Sequence, residues 1–389
     1  MNSIPEKIKP WLSQLDFIFF ALSIFTLTLS IKLSSKLLFI ALVLGLLKSI
    51  SNQDFRWFKI NKPLTYIYSI FLTYILLQGL FVDGPDLFFR TFEKDYAPYL
   101  VLILISIFFQ DFEKVKYIPV LIITGVLFTI LIITTRSLIE LQLFDREGVL
   151  KVFDLHHLYA SFYILFSINH LLFSTNKSKI FSKRYLAPLL LLLLFSSLIF
   201  FKSKSAIAIG VLLFLFYMIK KYNFNLRLVI IFGVSASLTI LLFKTHLYTA
   251  YINALDFRLR IWEASIELIV QNPIFGFGNA QEIKMLNKRH FINGDYYFLD
   301  SNLNTHNQSL TFLLKFGLMG FLLMLSSWLY PILRTDSNTK KEIYGFLFLM
   351  FSMMLIESMY NRHHGIVFIT VLLYYYSSII SNSQHKNEL

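Results

Sequence analysis

The stretch THNQSLTFLLKFGLMGFLLMLSSWLYP, residues 305–331, decides the fold, because a long apolar run directly follows a polar entrance. A helix needs about 20 predominantly apolar residues to cross a bilayer, and this run is long enough. Comparable runs recur along the whole chain, whose 389 residues are 56% hydrophobic and 17% aromatic. The mean hydropathy of +0.62 is rare among soluble domains. The sequence therefore predicts an all-α, polytopic transmembrane protein with a single integral membrane domain over residues 1–389.

The apolar runs predict about twelve membrane spans, with Ser34-Ser35-Lys36 between the first two. The predicted spans lie near 16–33, 36–50, 64–82, 97–109, 117–135, 158–174, 186–201, 205–219, 227–243, 308–331, 343–360 and 365–381. Lysine and arginine cluster in alternate loops, and the positive-inside rule makes that side cytoplasmic. Both termini are then expected on the cytoplasmic side.

The segment 244–306 is the one long hydrophilic stretch, and it is expected as a large loop on the opposite side of the membrane. Its central part, residues 257–270, has apolar residues at a helical period, which predicts an amphipathic helix. These residues are Ile261, Trp262, Ile266, Ile269 and Val270. Asn272-Pro273 should end the helix, which is too polar to span and is expected along the membrane interface.

Composition argues against several classes of function. The formal net charge of +13 comes from basic residues in short loops, so nucleic acid is not the expected partner. Cysteine is absent, which excludes disulfides, thiolate catalysis and cysteine-based metal sites. The adjacent histidines at 156–157 and 363–364 point apart on a helix and have no acidic residue three or four positions after them. We therefore expect no metal and no cofactor.

The polar entrance of the 305–331 stretch consists of His306 and Asn307. On a continuous helix, the eleven residues from His306 to Gly317 return to nearly the same face. Gly317 and Gly320 remove side-chain bulk, so another helix or a lipid chain could approach closely. This face predicts a site for an amphiphile, with its polar head at His306 and its tail along the glycine groove. Lys315 should lie on the opposite face and extend toward the membrane boundary.

Basic residues are expected on the same side of the membrane as His306. Arg258 stands one helical turn before Trp262. Lys202 and Lys204 lie between two spans with almost no linker, so their charges should sit at the membrane boundary or line a polar cavity. Each of these residues also fits an ordinary interfacial anchor.

Two motifs resemble a known family. The pattern His-Asn, nine residues, Gly, two residues, Gly at 306–320 resembles the signature of the O-antigen ligase and O-antigen polymerase superfamily. RLRIW at 258–262, followed by NPIFGFGN at 272–279, is similar to that family's arginine-bearing periplasmic loop. The resemblance covers residues 185–330 as a core region and extends weakly to 156–163 and 357–365.

The resemblance implies a membrane glycosyltransferase of lipopolysaccharide and cell-envelope biosynthesis. Such an enzyme transfers a glycan from undecaprenyl diphosphate to an acceptor hydroxyl, on lipid A core or on another lipid-linked glycan, without a metal or cofactor. It lies in the bacterial inner membrane with its active site on the periplasmic face. The leaving lipid diphosphate needs cations, and the attacking hydroxyl needs a base, which an imidazole supplies near neutral pH.

The resemblance also implies roles by position. His306 matches the family's catalytic histidine, and Arg258 matches one of its conserved arginines. The second family arginine falls on Lys204, which keeps the charge but loses bidentate phosphate binding. Either Lys204 serves with weaker geometry, or Arg260 or Lys202 compensates. Supporting roles are expected for four residues: Asn307, Gly317, Gly320 and Trp262.

Three alternatives stay open at this point. A ligase and a polymerase of the superfamily need the same base and the same diphosphate site, so these residues do not separate them. A transporter or flippase of an amphiphilic glycolipid would show charges or broken spans near the membrane midplane and paired repeats. A metal-dependent membrane glycosyltransferase would need an acidic residue in its first external loop, where this chain has Ser34-Ser35-Lys36.

Overall fold

A computed structural model describes the parts of the chain that position the site. The described residues are 14–51, 62–109, 111–139, 157–174, 185–201, 203–222, 245–299, 302–335 and 339–388. Within these ranges all regular structure is helical, which confirms the all-α class. The predicted span 227–243 and the candidate Lys202 lie outside the described residues.

The α-helices are numbered here in chain order. They are α1 (Leu15–Leu27), α2 (Ile31–Ser51), α3 (Lys62–Gln78), α4 (Pro85–Asp95), α5 (Val101–Phe108), α6 (Phe112–Val115), α7 (Ile118–Ile139), α8 (His157–Phe173), α9 (Leu186–Phe200), α10 (Lys204–Tyr222), α11 (Thr245–Gln271), α12 (Glu282–Asn293), α13 (Gln308–Arg334), α14 (Lys340–Met354) and α15 (His363–Glu388).

Several of these helices fit a membrane by length and composition. Within the described ranges, five helical segments are long and apolar enough to cross a bilayer: Ile31–Ser51, Lys62–Asp83, Phe112–Arg136, Gln308–Arg334 and His363–Ser381. Three shorter apolar helical segments add to them: Leu15–Leu27, Ala97–Phe108 and Leu186–Phe200. The chain thus has the character of a multi-pass membrane protein, and the number of about twelve spans stays a prediction.

Helices α1 and α2 form a hairpin whose turn lies at residues 28–30, so the predicted break at Ser34-Ser35-Lys36 is wrong. The Ser30 hydroxyl accepts from the N–H of Leu33 at 3.5 Å, which starts α2 early. Ser34 lies inside α2, and its hydroxyl donates to the Ser23 carbonyl of α1 at 2.9 Å. A serine whose hydroxyl bonds to a backbone carbonyl of the neighbouring helix can lie inside a helix, so Ser34 does not mark a loop.

The core is built around α8 and α15, which are buried along most of their lengths. Far from the start of α15, Tyr374 donates to the Phe109 carbonyl and Tyr376 donates to Glu342 at 3.3 Å. Glu342 also pairs with His170 Nδ1 at 2.7 Å. This buried pair lies at one end of the helices, and the first residues of α13 and α15 lie at the other.

Helices α11 and α12 form the folded part of the predicted 244–306 loop. Helix α11 ends at Gln271, directly before Asn272-Pro273, as predicted. The predicted apolar face is only partly right, because Ile261 is fully buried whereas Ile266 is 51% and Val270 is 71% exposed. The buried face of α11 packs on α12 and α13, so those two residues point away from the protein.

Candidate functional site

His306 lies in the turn before α13 rather than on the helix. Asn307 is the N-cap, and its Oδ1 accepts from the N–H groups of Ser309 at 3.0 Å and Leu310 at 3.2 Å. The backbone of His306 has φ +47°, a left-handed conformation that residues other than glycine rarely adopt. Its N–H donates to Asn304 Oδ1 at 2.9 Å, which holds the turn. Asn307 thus fixes the chain beside His306.

Glu357 is the acidic partner of His306. Nδ1 of His306 lies 3.3 Å from Glu357 Oε2, and the imidazole side chain is 27% exposed against 12% for the carboxylate. An ionised carboxylate keeps the hydrogen on Nδ1, so Nε2 has a free lone pair. Sequence reasoning missed this partner, because 51 residues separate the two. The one signal was the weak family resemblance at 357–365.

A buried ion pair joins α13 to the beginning of α12. Lys315 Nζ is 3.2 Å from Glu282 Oε2, and the two side chains are 10% and 4% exposed. Lys315 also donates to Asn361 Oδ1 at 2.7 Å, and Asn361 Nδ2 donates to Glu282 Oε2 at 2.9 Å. Thr311 donates to Glu282 Oε1 at 3.2 Å. The prediction that Lys315 extends toward the boundary is therefore wrong, because its ammonium is paired inside the protein.

Asp95, at the end of α4, adds a second carboxylate to the surroundings of Lys315. Partial burial raises the pKa of Asp95, and the positive charge of Lys315 acts in the opposite direction. The ammonium of Lys315 therefore balances negative charge contributed by two different segments, α4 and α12.

Helix α13 is interrupted at Gly317, which has φ 64° and ψ −172°. The NPIFGFGN loop, residues 272–279, fills the interruption, and four backbone hydrogen bonds join the two. They are Phe277 N–Leu314 O at 2.8 Å, Gly278 N–Lys315 O at 2.9 Å, Leu318 N–Pro273 O at 2.8 Å and Met319 N–Ile274 O at 3.2 Å. A Cβ at Gly317 would stand 2.1 Å from the Ile274 oxygen, and one at Gly276 would stand 2.6 Å from Gly317 N. Only glycine allows such close backbone contact.

Helix α3 donates further hydrogen bonds to carbonyls at the interruption. Gln78 Nε2 donates to the carbonyls of Phe275 at 2.7 Å and Lys315 at 2.6 Å. Tyr74 donates to the Phe316 carbonyl at 2.7 Å, and its ring packs against Gly320. The predicted close helix approach at Gly320 is thus confirmed. The continuous helix, the shared face of His306 and Gly317 and the lipid groove at Gly317 are wrong, because a protein loop fills that space.

Trp262 connects the large loop to the turn before α13 that contains His306, called the histidine turn below. Its indole Nε1 donates to the carbonyl of Thr305, the residue before His306, at 3.0 Å. Arg258 lies one turn earlier on α11, about 6 Å along the axis and about 40° around it. Its half-buried side chain forms no hydrogen bond or ion pair with the described residues. Arg258 therefore lies on nearly the same side of α11 as Trp262.

The other two candidate cations, Arg260 and Lys204, do not share the position of Arg258. Arg260 lies about 160° around α11 from Arg258 and pairs with Asp256 at 3.1 Å and Asp295 at 3.3 Å. Its charge is thus balanced by carboxylates away from His306. Lys204 is exposed at the first turn of α10, and among the described side chains it contacts no charged partner.

The beginning of α10 lies at the same end of the helices as the histidine turn. Phe201 borders one small cavity with Tyr163, whose hydroxyl lies 3.4 Å from His364 Nδ1 at the start of α15. No contact joins Lys204 to His306. Within the described ranges, no set of three or more His, Asp and Glu side chains could hold a metal ion.

Comparison with known proteins supports the family resemblance predicted from the sequence. Residues 189–325 match the family model described as O-Antigen ligase. No curated protein matches the chain. The matched region contains His306, Arg258 and Lys204, whereas Glu357 and Asn361 lie beyond its end. The match confirms the predicted resemblance of this region to the O-antigen ligase and polymerase superfamily.

Proposed function

We propose that the protein transfers a glycan from a lipid diphosphate carrier, undecaprenyl diphosphate, to an acceptor hydroxyl, with His306 as the general base. The observation that carries this proposal is the His306–Glu357 pair, at 3.3 Å, next to the helix that bears Arg258. The family match over residues 189–325 supports a membrane glycan ligase or polymerase.

The proposed reaction needs a base and a cation on the same side of the membrane. Nε2 of His306 takes the proton of the acceptor hydroxyl while the hydroxyl oxygen attacks the anomeric carbon. The bond between that carbon and the diphosphate oxygen breaks, and its electron pair leaves with the lipid diphosphate. Glu357 keeps the imidazole oriented and balances the positive charge that forms on it. A displacement of this kind inverts the anomeric configuration.

Arg258 is proposed as the group that binds the leaving diphosphate. A guanidinium binds two phosphate oxygens at once, and its charge is most effective in a poorly screened site. Lys204 is proposed as a second cation for the same substrate. Arg260 has no part in this proposal, since Asp256 and Asp295 already neutralise it.

The reaction is proposed to occur on the periplasmic side of the bacterial inner membrane, with both termini in the cytoplasm. The positive loops of the sequence support this orientation. The acceptor is proposed to be lipid A core, as for a ligase. For a polymerase it would be another lipid-linked glycan.

Transport of the same amphiphile is less well supported. Broken helices in transporters leave backbone groups free to bind substrate. In α13 the interruption at Gly317 is filled by residues 272–279 and by Gln78 and Tyr74 of α3. A filled interruption favours a fixed scaffold around the site over a moving substrate path.

The chain offers a matched control for an experiment on the His306–Glu357 pair. His170 and Glu342 form a second, buried histidine–glutamate pair at the opposite end of the helices. Purified variants should be compared for transfer of glycan from a lipid-linked donor to an acceptor. His306→Ala should lower the rate by about 10² to 10⁴, the usual contribution of a general base, and Glu357→Gln by less.

The control variant Glu342→Gln should lower thermal stability but keep the transfer rate per folded molecule. Parental transfer by His306→Ala would refute the proposal. In cells, deletion of the gene should leave no polymer on lipid A core if the enzyme is a ligase. A single repeat unit on core would instead identify a polymerase, and an unchanged surface glycan would contradict both.

A further inference from the structure

A cleft of about 470 Å³ lies beside α11, on the face away from Arg258 and Trp262. Its walls are Asp256, Phe257 and Arg260 of α11 and the turn that follows α12, residues 294–298. The volume falls within the range of small-molecule sites, about 300–1,000 Å³. We propose that this cleft binds a saccharide unit of the glycan, distant from the reacting end and either neutral or amino-bearing. That the ligand is a glycan rests on the proposed function.

The aromatic part of the cleft suits a sugar ring. Tyr296 and Tyr297 are 61% and 76% exposed, whereas the next residue, Phe298, is 4% exposed. Phe298 stacks on the buried His290 with ring centroids 4.6 Å apart, and Phe257 packs against it at 5.1 Å. The exposed ring of Tyr297 packs against Phe257 at 6.3 Å and Phe298 at 5.8 Å, and that of Tyr296 packs against Phe291 at 5.8 Å, so both tyrosine rings are supported by aromatic neighbours. Their apolar faces match the C–H face of a pyranose, and their hydroxyls match its polar rim.

The polar part of the cleft offers hydrogen-bond donors and acceptors for sugar hydroxyl groups. Asp256 and Asp295 present carboxylate acceptors, and Arg260 between them presents donors, at 3.1 Å and 3.3 Å from the two acids. Two carboxylates against one guanidinium leave an excess of negative charge. The cleft should therefore disfavour acidic sugars and favour neutral or amino sugars. The same negative charge disfavours contact with an anionic membrane surface.

The position of the cleft fits a polymeric substrate. Asp256 lies about 9 Å along the axis of α11 from Trp262, whose indole contacts the turn of His306. The cleft and the histidine turn thus flank the same helix on different sides. A glycan of several units with its reacting end at His306 could reach the cleft with a later unit, whereas a single sugar could not.

Binding of free oligosaccharide tests this inference without requiring transfer. The probe is oligosaccharide released from the surface glycan of the producing cells, without lipid or diphosphate, titrated calorimetrically into the purified full-length protein. Tyr297→Ala should weaken binding about tenfold, as for one large aromatic contact, and Asp256→Asn should weaken it severalfold. Phe89→Ala, an exposed aromatic on α4, should bind as the parental protein does.

Two outcomes would overturn the inference: no binding by the parental protein, or parental affinity in both Tyr297→Ala and Asp256→Asn. A third concerns the membrane. If Tyr297→Trp in nanodiscs is quenched by brominated lipids beyond the parental signal, the aromatic pair is a membrane anchor and the inference fails. The parental protein could also bind the oligosaccharide but transfer no glycan. That result would refute the proposed reaction and still support the saccharide-binding cleft.

Discussion

The interruption of α13 gives the sharpest test of how the site is built. Gly317→Ala introduces a Cβ that would stand 2.1 Å from the Ile274 oxygen, in a backbone conformation of φ 64° and ψ −172°. The conformation alone costs about 1–3 kcal/mol for a residue with a side chain. The collision forces the 272–279 loop away and breaks up to four backbone hydrogen bonds, each contributing roughly 1 kcal/mol. Together these effects should destabilise the protein by about 5 kcal/mol or more.

Gly84→Ala is the matched control, because it separates strain from collision. Gly84 has φ 82° and ψ 154°, a comparable backbone conformation, but no atom lies within 4 Å of a Cβ built there. This variant should therefore show only the strain of about 1–3 kcal/mol. Thermal unfolding of the two detergent-solubilised proteins measures the difference. Equal melting temperatures for the two variants would refute the docking of the loop into α13.

Three further variants test contacts around the site. Lys315→Met leaves the carboxylate of Glu282, 4% exposed, without its cation, and should cost about 3–5 kcal/mol of stability, most of which Lys315→Met/Glu282→Gln recovers in the same melting assay. Trp262→Phe removes the indole hydrogen bond to Thr305 and should slow glycan transfer severalfold with little change in melting temperature; an unchanged rate would contradict the coupling of α11 to the histidine turn. Burial raises the pKa of Asp95, so its protonation favours the folded state. Relative to Asp95→Asn, the parental protein should therefore gain stability as the pH falls from the raised pKa toward the ordinary value of an aspartate, which parallel melting curves would show.

The sequence predicted the helical class and several boundaries because those depend on local patterns. The length of an apolar run indicates a span, and Asn272-Pro273 marks the end of α11 as predicted. The first hairpin was misplaced because its turn depends on hydroxyls, such as that of Ser34, that bond across to a neighbouring helix. Such partners are tertiary, so no local window reveals them.

The candidate site was predictable only in part, for a related reason. Family resemblance picked out His306 and Arg258, and the indole of Trp262 brings their two segments together. Glu357 and the paired state of Lys315 were missed, since each depends on a contact with a distant segment. The spacing of Gly317 and Gly320 correctly indicated a close approach of another segment. The shared face with His306 was wrong, because helical periodicity assumes a continuous helix and the backbone at Gly317 is not helical.

The order of the chain bears on how the interrupted span reaches its final place during biosynthesis. Backbone groups left open in hydrocarbon carry a penalty of several kcal/mol each. The groups that bond to the backbone of α13 at the interruption, on Tyr74, Gln78 and residues 273–278, are all encoded upstream of it. A ribosome therefore delivers every partner before the span that needs them leaves the translocon, since synthesis runs from the N-terminus. The interrupted helix of the site is thus inserted after the segments that complete its backbone hydrogen bonds.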